Sequence, residues 1–344
     1  MQDLFPEVKS WLEQNRPFAL ATVIRTWGSA PRPTGAHMAV SQEGEMIGSV
    51  SGGCVESAVV DAAQQVLAEN QCQRLAFGVS NETAWEVGLA CGGTIEIFLQ
   101  RLVPQDRWVI ALASLLENKQ SGVLATLIKG RQEWLGRQLL LMERGTEGSL
   151  QGGELDRHLQ QVLDARRPPR QPQIMSLENQ EIFIEPILPP PRLIVIGGVH
   201  IAIPLTRFAL ELGYEVILVD PRTRFANPER FPHVEKILNQ WPDEAIQSLG
   251  LDANTFVVAL THDPKLDDPA LIAALNGHPA YIGVLGSRRT HEKRIARLKD
   301  AGIAPEQLEQ LHAPIGLSIG AKSPAEIALS IVAEMTAVAR GQDG

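Results

Sequence analysis

The sequence has few cysteines, no excess of basic residues and no long apolar run. Its 344 residues include 3 cysteines and no Cys-x-x-Cys pair, which excludes a disulfide scaffold and is typical of a reducing cytoplasm. With 40 acidic against 31 basic residues, it lacks the basic face expected of a general nucleic-acid binder. No apolar run approaches the ~20 residues that span a bilayer, and the acidic N-terminus lacks the pattern of a signal peptide. We therefore expect a cytoplasmic protein that binds neither nucleic acid nor membrane.

The chain is long enough for two domains, and a run of prolines predicts where they meet. At roughly 100–200 residues per domain, 344 residues can form two hydrophobic cores. Pro189–Pro191 cannot continue a helix or a central strand, and they favour a stiff, extended connector. We expect an N-terminal domain over residues 1–188, a linker at 189–191 and a C-terminal domain over residues 192–344.

Before the prolines, helical and strand patterns mix without strict alternation. Apolar, β-branched segments predict buried strands, whereas apolar residues three and four positions apart predict helices. The predicted strands include 18–26, 37–41, 94–102 and 122–130, and the predicted helices are 3–15, 55–68 and 106–118. This mixture is typical of an α+β domain. We find no internal repeat in the sequence.

After the prolines, apolar strands alternate with helices. Continuous apolar strands separated by helices predict a parallel sheet that is covered on both faces. The predicted strands are 192–198, 215–222, 255–260 and 280–286. The chain therefore belongs to the α/β class, with an N-terminal α+β domain followed by a C-terminal Rossmann-like parallel-sheet domain.

A glycine turn after the first of these strands resembles a dinucleotide-binding fingerprint. Gly197 and Gly198 follow a strand and open a helix that includes His200, and Asp220 ends the next strand, 23 residues after Gly197. In such folds the acid holds a ribose hydroxyl. However, Val199 occupies the position where glycine lets the backbone approach a pyrophosphate, and this weakens the case for NAD(P). Gly197, Gly198, His200 and Asp220 are candidate cofactor contacts, and the alternative is a turn kept for packing.

A second polar group follows the strand predicted at 280–286. Ser287 and Arg288 stand where that strand gives way to a helix. In an open parallel sheet the carboxyl ends of the strands form the ligand crevice, and a helix N-terminus with arginine suits a phosphate or carboxylate. The alternative is a helix cap with a solvated arginine.

One loop of the first domain places a cysteine beside paired glycines. Residues 51–56 run from a strand into a helix, with Cys54 directly after Gly52 and Gly53. Backbone amides at a helix N-terminus favour thiolates and attract anions. A free cysteine is more commonly a small buried apolar residue, but at Cys54 we favour a functional role.

Two further loops carry related features. Cys91 precedes Gly92 and Gly93 just before a predicted strand, and here a functional and a structural role are equally supported. The loop 27–36 contains Arg32, which can fork onto a phosphate but also suits an ordinary surface turn. The spacing of the cysteines does not match a zinc site.

Several motifs, in order along the chain, resemble those of the XdhC/CoxI family, the accessory proteins of xanthine dehydrogenase and related molybdenum hydroxylases. They are G-S-A-P-R-P-x-G-A-x-M, S-G-G-C-V-E, L-A-C-G-G-T-I-E, the glycine turn with His200, V-D-P-R, T-H-D, G-x-x-G-S-R-R-T and P-I-G-L-x-I-G-A-x-S-P-A-E-I-A. The resemblance spans residues 18–338. It implies a chaperone that binds molybdenum cofactor (molybdopterin), holds it while a cysteine desulfurase helps to exchange an oxo ligand for sulfur, and delivers it to an apo-hydroxylase. Such a protein is an accessory factor rather than a turnover enzyme.

The resemblance also gives the candidate residues a role. Cys54 and Cys91 would ligate molybdenum or relay sulfur, since thiolates prefer soft metals. The glycine-loop amides, with Arg32 nearby, would hold the phosphate of the pterin. We further expect a homo-oligomer, a dimer. Two other functions remain open: an NAD(P)-dependent oxidoreductase that uses the C-terminal domain, or a C-terminal domain that serves docking or dimerisation.

Overall fold

The computed structural model describes residues 4–78, 93–166, 168–169 and 171–341. The chain forms two compact units, Met1–Pro189 and Pro190–Gly344. No helix within the described ranges combines the length and the apolar character needed to cross a bilayer.

The first unit is built on two antiparallel sheets of 5 strands each. The first sheet has the order β3-β2-β1-β5-β4, and the second has the order β8-β7-β6-β10-β9. The strands are β1 (Phe18–Trp27), β2 (His37–Ser41), β3 (Met46–Gly48), β4 (Gln73–Phe77), β5 (Thr94–Leu102), β6 (Gly122–Lys129), β7 (Gln138–Met142), β8 (Gly145–Gly148), β9 (Gln173–Leu177) and β10 (Gln180–Ile187). The helices described in this unit are α1 (Phe5–Glu13), α2 (Glu56–Glu69), α3 (Arg107–Glu117) and α4 (Gly153–Val162).

The second sheet repeats the topology of the first, strand for strand. In each half a helix, α2 or α4, connects the third strand to the fourth. The sequence G-S-V-S-G-G-C-V-E at 48–56 returns as G-S-L-Q-G-G-E-L-D at 148–156, which is 100 residues later. The expectation that the chain contains no internal repeat is therefore wrong. The repeat is hard to detect in the sequence because, outside this loop, the corresponding strands of the two sheets have different residues.

Apolar side chains join the two sheets and cover them with helices. Phe18 and Leu20 of β1 lie in one buried cluster with Leu124 and Leu140 of the second sheet. On its other face the first sheet packs against α2 through a cluster that includes Val59. The second sheet packs in the same way against α4. The layers of this unit therefore run helix, sheet, sheet, helix, with the apolar residues of each strand alternating between two cores.

The second unit is a parallel sheet with the strand order β13-β12-β11-β14-β15-β16. Its strands are β11 (Arg192–Ile196), β12 (Glu215–Val219), β13 (Lys236–Leu238), β14 (Thr255–Ala259), β15 (Tyr281–Val284) and β16 (Leu311–His312). Its helices are α5 (Ala202–Glu211), α6 (Pro242–Leu249), α7 (Pro264–Gly277), α8 (Arg288–Asp300), α9 (Pro305–Leu308) and α10 (Pro324–Ala339). This order is that of a Rossmann fold, which confirms the predicted class.

Helices cover both faces of the parallel sheet. Leu205 of α5 and Ile331 of α10 belong to the buried cluster on one face, while Leu271 of α7 and Leu298 of α8 belong to the cluster on the other. The strand order reverses between β11 and β14, and the crevice at the carboxyl ends of these strands is the place where such folds bind ligands.

Candidate functional site

Three loops that carry candidate residues meet at one end of the first sheet. Trp27 pairs with Thr94, so the end of β1 lies beside the start of β5. A Cβ atom on Gly93 would lie 2.9 Å from the carbonyl oxygen of Ser29, so only glycine allows this close backbone contact. Arg32 Nε donates to the carbonyl oxygen of Ser49 at 3.2 Å and thereby ties the 27–36 loop to the glycine loop. The structure thus brings together Arg32, Gly52, Gly53, Cys54 and Gly93, whereas Cys91 and Gly92 lie outside the described residues.

The carboxylate of Glu56 organises the glycine loop. Glu56 is the first residue of α2, and its side chain folds back under the loop that precedes the helix. Burial alone would raise the pKa of this carboxyl group, but the hydrogen bonds that it accepts lower it to about 2. The donors are Ser49 Oγ, Ser51 Oγ and the amides of Val50, Ser51, Gly53 and Val55.

The backbone amides of Gly52 and Gly53, which the sequence suggests as phosphate contacts, already donate hydrogen bonds within the loop. The Gly53 amide donates to Glu56 at 2.9 Å, and the Gly52 amide donates to Ser49 Oγ at 2.8 Å. A backbone N–H makes one strong hydrogen bond, so neither amide is positioned to hold an anion. The expected phosphate cradle is therefore corrected: the amides of Gly52 and Gly53 build the turn itself.

Cys54 presents its thiol at the edge of this turn. It lies just before Val55, the N-cap of α2, and follows two exposed glycines. Its side chain is half-buried against the apolar cluster that joins α2 to the first sheet, and the thiol is free. Cys72 differs, because burial raises its pKa to about 11 and its Sγ donates to the carbonyl oxygen of Leu135 at 3.6 Å. Of these two thiols, Cys54 is therefore the one suited to chemistry.

The repeated loop in the second half shows which residues build the turn. Asp156 takes the place of Glu56 and accepts from Ser149 Oγ at 2.5 Å, from the Leu150 amide at 3.1 Å and from the Gly152 amide at 3.2 Å. The serine, the paired glycines and the acid are thus common to both loops. Glu154 stands where the first loop has Cys54.

A buried polar pair links the two sheets of this unit. His37 Nε2 lies 3.2 Å from Glu185 Oε2, and both side chains are almost completely buried. Burial would raise the pKa of Glu185, but its polar contacts, of which His37 is the first, lower it to about 2. The strand registers place Gln138 and Gln100 at the equivalent positions of the repeat, and these two amides also form a hydrogen bond. Sequence reasoning missed both pairs, because partners so far apart in the chain give no local signal.

In the second unit, internal contacts account for both glycines of the turn after β11. Gly197 has φ +103°, and a Cβ atom there would lie 2.5 Å from the side chain of Thr261. A Cβ atom on Gly198 would lie 2.4 Å from the carbonyl oxygen of Phe225. Val199 packs its side chain against the apolar cluster beside α5. Packing within the second unit is therefore enough to explain why this turn contains two glycines.

Asp220 lies at the carboxyl end of β12 and is fully occupied by donors of its own unit. Its Oδ2 accepts from the Gly198 amide at 2.9 Å and from Arg222 Nη2 at 2.8 Å. Its Oδ1 accepts from the Arg222 amide and from Arg222 Nε, both at 2.9 Å. Burial opposes ionisation of Asp220, but these donors, above all the Arg222 guanidinium, hold its pKa below the usual range. A carboxylate has about four lone-pair positions, so none is left for a ribose hydroxyl.

The remaining candidates lie at the same edge of the parallel sheet. Ser287 is the N-cap of α8, and its Oγ accepts from the Thr290 amide at 3.2 Å. Arg288 begins that helix and is exposed, and His200 is exposed after the glycine turn. The residues described here include no cluster of three or more His, Cys, Asp and Glu side chains that would hold a metal ion.

Comparison with known proteins gives matches in both parts of the chain. Residues 193–335 match the XdhC Rossmann domain, and residues 11–78 match the XdhC and CoxI family. A probable xanthine dehydrogenase subunit of Bacillus subtilis (strain 168) is 28% identical over 94% of this chain and 94% of its own length. The molybdenum cofactor insertion chaperone PaoD of Escherichia coli (strain K12) is 26% identical over 94% of this chain and 84% of its own length. A crystal structure described as a xanthine dehydrogenase from Bacillus halodurans aligns over 100% of this chain and 97% of that one, with 25% identity and a TM-score of 0.79.

Proposed function

Because this chain belongs to the XdhC and CoxI family, we propose that it is a maturation factor that binds molybdenum cofactor and delivers it to a xanthine dehydrogenase-type hydroxylase. The names of two relatives support this role, one as a molybdenum cofactor insertion chaperone and one as part of a xanthine dehydrogenase. We also propose that the cofactor is held during sulfuration by a cysteine desulfurase, and that the protein acts as a dimer.

The observation that carries the proposal is the half-exposed thiol of Cys54 on a turn held by Glu56. The turn is fixed by buried hydrogen bonds, so the position of Cys54 requires little ordering when a ligand arrives. Gly52 and Gly53 are exposed beside it and leave room for a bulky group. A thiolate is a ligand that a soft metal centre prefers.

Arg32 adds a positive charge at the same end of the sheet. Its Nε bond to the carbonyl oxygen of Ser49 holds the side chain beside the glycine loop. We assign it to the phosphate of the pterin, a role that the amides of Gly52 and Gly53 cannot fill. In this proposal the molybdenum cofactor is the cargo: Cys54 contacts its metal, Arg32 contacts its phosphate, and Glu56 fixes the turn that positions Cys54.

The test is the cofactor content of Cys54→Ala. The full chain is produced in cells that make molybdenum cofactor, and molybdenum and pterin are measured per chain after purification. We expect Cys54→Ala to lower both by about tenfold or more, since replacing even an outer-shell partner of a metal ligand lowers metal affinity about 10–100-fold. Glu154→Ala, at the equivalent position of the repeat, is the matched control and should keep the cofactor.

The same measurement separates the possible roles of the thiols. Cys91→Ala shows whether the second cysteine contributes, and the double variant removes both. Unchanged molybdenum and pterin in the double variant would rule out thiolate ligation. No observation on the described residues of the second unit favours an NAD(P)-dependent oxidoreductase, because the carboxylate that would bind the ribose is occupied by Arg222 and Gly198.

A further inference from the structure

The last helix of the second unit, α10, lacks the polar outer face that is typical of a surface helix. Its inner side, which includes Ala328, Ile331 and Met335, is buried against the parallel sheet. On its outer side Leu329 is 51% exposed, although a helix that covers a sheet normally presents polar residues to solvent. An apolar outer face of this kind is typical of a helix that a further element covers.

The one acid between the two ends of α10 is turned away from solvent. Glu334 is the single charged residue of the sequence between Glu326 and Arg340. Its side chain is 13% exposed and accepts hydrogen bonds from the hydroxyl of Tyr281 and from the Gly316 amide, the latter at 2.9 Å. The middle of the outer face is therefore uncharged, and the charges that remain lie at its two ends.

The outward-facing residues of α10 form a stripe with the spacing that is found between paired helices. The stripe consists of Glu326, Leu329, Ala333, Thr336 and Arg340, which follow one another at intervals of three and four residues and therefore share a face. At 1.5 Å per residue the stripe is about 21 Å long. Ala333 lies at its centre and is small enough to let the axis of a second helix approach closely.

The charges at the two ends make this stripe complementary to itself. Glu326 and Arg340 lie equally far from Ala333, in opposite directions along the helix. A twofold axis at Ala333 would therefore place Glu326 of each copy beside Arg340 of the other. We propose that this stripe of α10 is an interface with a second copy of the chain, in which the two helices run antiparallel.

Both end charges are placed for these contacts. Glu326 Oε2 accepts from the amides of Ser323 and Lys322, both at 2.8 Å, which holds the carboxylate at the start of the helix. These amides keep the pKa of Glu326 below its usual range, so the group is charged at neutral pH. Arg340 is exposed at the C-cap, and among residues 190–341 it forms no ion pair. An acid at one end and an available base at the other favour a second copy over an unrelated partner.

This inference rests on the dimer named in the proposed function and is independent of the cofactor role given to Cys54. It adds the surface that the two copies share and the relative direction of the two helices. Because each copy contributes the same residues, the contact closes on itself and gives a dimer, not a longer assembly.

Sedimentation equilibrium of the full chain measures the dissociation constant of the dimer. Leu329→Glu puts an unpaired charge into the apolar part of the stripe and should raise this constant by about tenfold or more. Arg340→Glu sets two acids against each other at both ends and should raise it by about tenfold. Ile110→Glu, on α3 of the first unit, is the matched control, because Ile110 is 57% exposed and lies outside the stripe. It should leave the constant unchanged.

A mixture of two variants tests the pairing of the charges. Glu326→Lys alone sets two bases against each other, as Arg340→Glu alone sets two acids. Mixing the two variants restores opposite charges at both ends, so the mixed dimer should form more tightly than either variant with itself. Because Glu326 also caps α10, near-ultraviolet circular dichroism of each variant shows that the fold is retained.

A cysteine at the twofold axis tests the direction of the helices. In an antiparallel pair, residue 333 of one copy faces residue 333 of the other. Oxidation of Ala333→Cys with copper phenanthroline should therefore join the two copies through a disulfide. Ser248→Cys, exposed on α6 at the other face of the sheet, is the control and should give no more covalent dimer than the parent.

The outcomes separate this surface from the dimer itself. A dimeric parent whose affinity is unchanged in Leu329→Glu and Arg340→Glu would overturn this surface and leave the dimer of the proposed function in place. A parent that is monomeric at every concentration tested would overturn both. The cofactor role of Cys54 is judged separately, by the molybdenum content of Cys54→Ala.

Discussion

Replacing Glu56 by Gln should destabilise the first unit and lower cofactor binding together, because one buried carboxylate organises the turn before Cys54. The pKa of Glu56 falls from its ordinary 4.5 to about 2 in the folded protein. At about 1.4 kcal/mol per unit, this depression corresponds to up to about 3 kcal/mol of stability at neutral pH. Glutamine keeps the size of the side chain, but its amide nitrogen cannot accept from the loop's donors. We expect a loss of about 2–3 kcal/mol in the free energy of unfolding.

The effect has a defined pH dependence. The pKa of Glu56 is lower in the folded than in the unfolded chain, so its stabilising contribution is complete above pH 4.5. The contribution is lost as the pH falls from 4.5 towards 2. The difference in stability between the parent and Glu56→Gln should therefore be constant from about pH 8 to pH 6 and shrink in acid.

Tryptophan fluorescence during urea unfolding measures the loss of stability in the first unit. Five of the 6 tryptophans lie within Met1–Pro189, so the signal reports mainly on the first unit. Glu69→Gln, an exposed acid at the end of α2, is the neutral control. Asp156→Asn, which disrupts the repeated turn, should lower stability without lowering cofactor content. A Glu56→Gln protein with parental stability and parental molybdenum would refute the reasoning.

Three other predictions test contacts elsewhere in the chain. Native Cys72 should resist iodoacetamide at pH 8, because a pKa of about 11 leaves roughly 0.1% of its thiol as thiolate, whereas Cys54 should react. Peptide mass spectrometry measures the labelling of both cysteines. Rapid labelling of Cys72 in the native protein would contradict its burial. Gly198→Ala should destabilise the second unit by about 1–3 kcal/mol, because its Cβ would meet a backbone carbonyl; an unchanged melting curve by circular dichroism would argue against that close contact. Glu185→Gln should cost about 3 kcal/mol in urea unfolding, because it removes the carboxylate from a buried polar pair with His37. A loss below about 1 kcal/mol would mean that the pair contributes little.

The second unit shows how much of a fold the sequence can predict. Its strands are buried on both faces, so they are apolar at nearly every position, as at 193–196 and 256–260. That pattern, with helices between the strands, predicts a parallel sheet and a Rossmann-like fold, and the structure confirms both. The repeat in the first unit was missed for the opposite reason. In strands whose side chains alternate between two faces, many different residues fit the same position, so the strand sequences of the two halves differ. Only the loop at 48–56 recurs recognisably, at 148–156.

The sequence predicts where the candidate residues stand relative to strands and helices, but it does not predict the hydrogen bonds that they make. The glycine loop, Cys54 and the turn at Gly197 all lie where the patterns placed them, at the ends of strands and the starts of helices. The sequence did not reveal that Glu56 would fold back and take the amides of its own loop. It also did not reveal that Arg222, two residues beyond Asp220, would occupy that carboxylate. In both cases the spacing of the residues matches a ligand-binding motif. Whether the polar groups of that motif are available to a ligand depends on a neighbouring side chain that the spacing does not include.

The repeat offers a comparison within one chain that separates the building of a turn from its chemistry. Both loops contain a serine, paired glycines and an acid, and in both the acid accepts hydrogen bonds from the serine and from backbone amides. A motif that occurs at two places, and whose acid binds its own serine and backbone amides at both, is accounted for by folding. Among the differences between the two loops, the first has the thiol of Cys54 where the second has Glu154, and Arg32 contacts the carbonyl oxygen of Ser49. The specific chemistry of this unit is therefore to be sought in Cys54 and Arg32 and not in the glycines that support them.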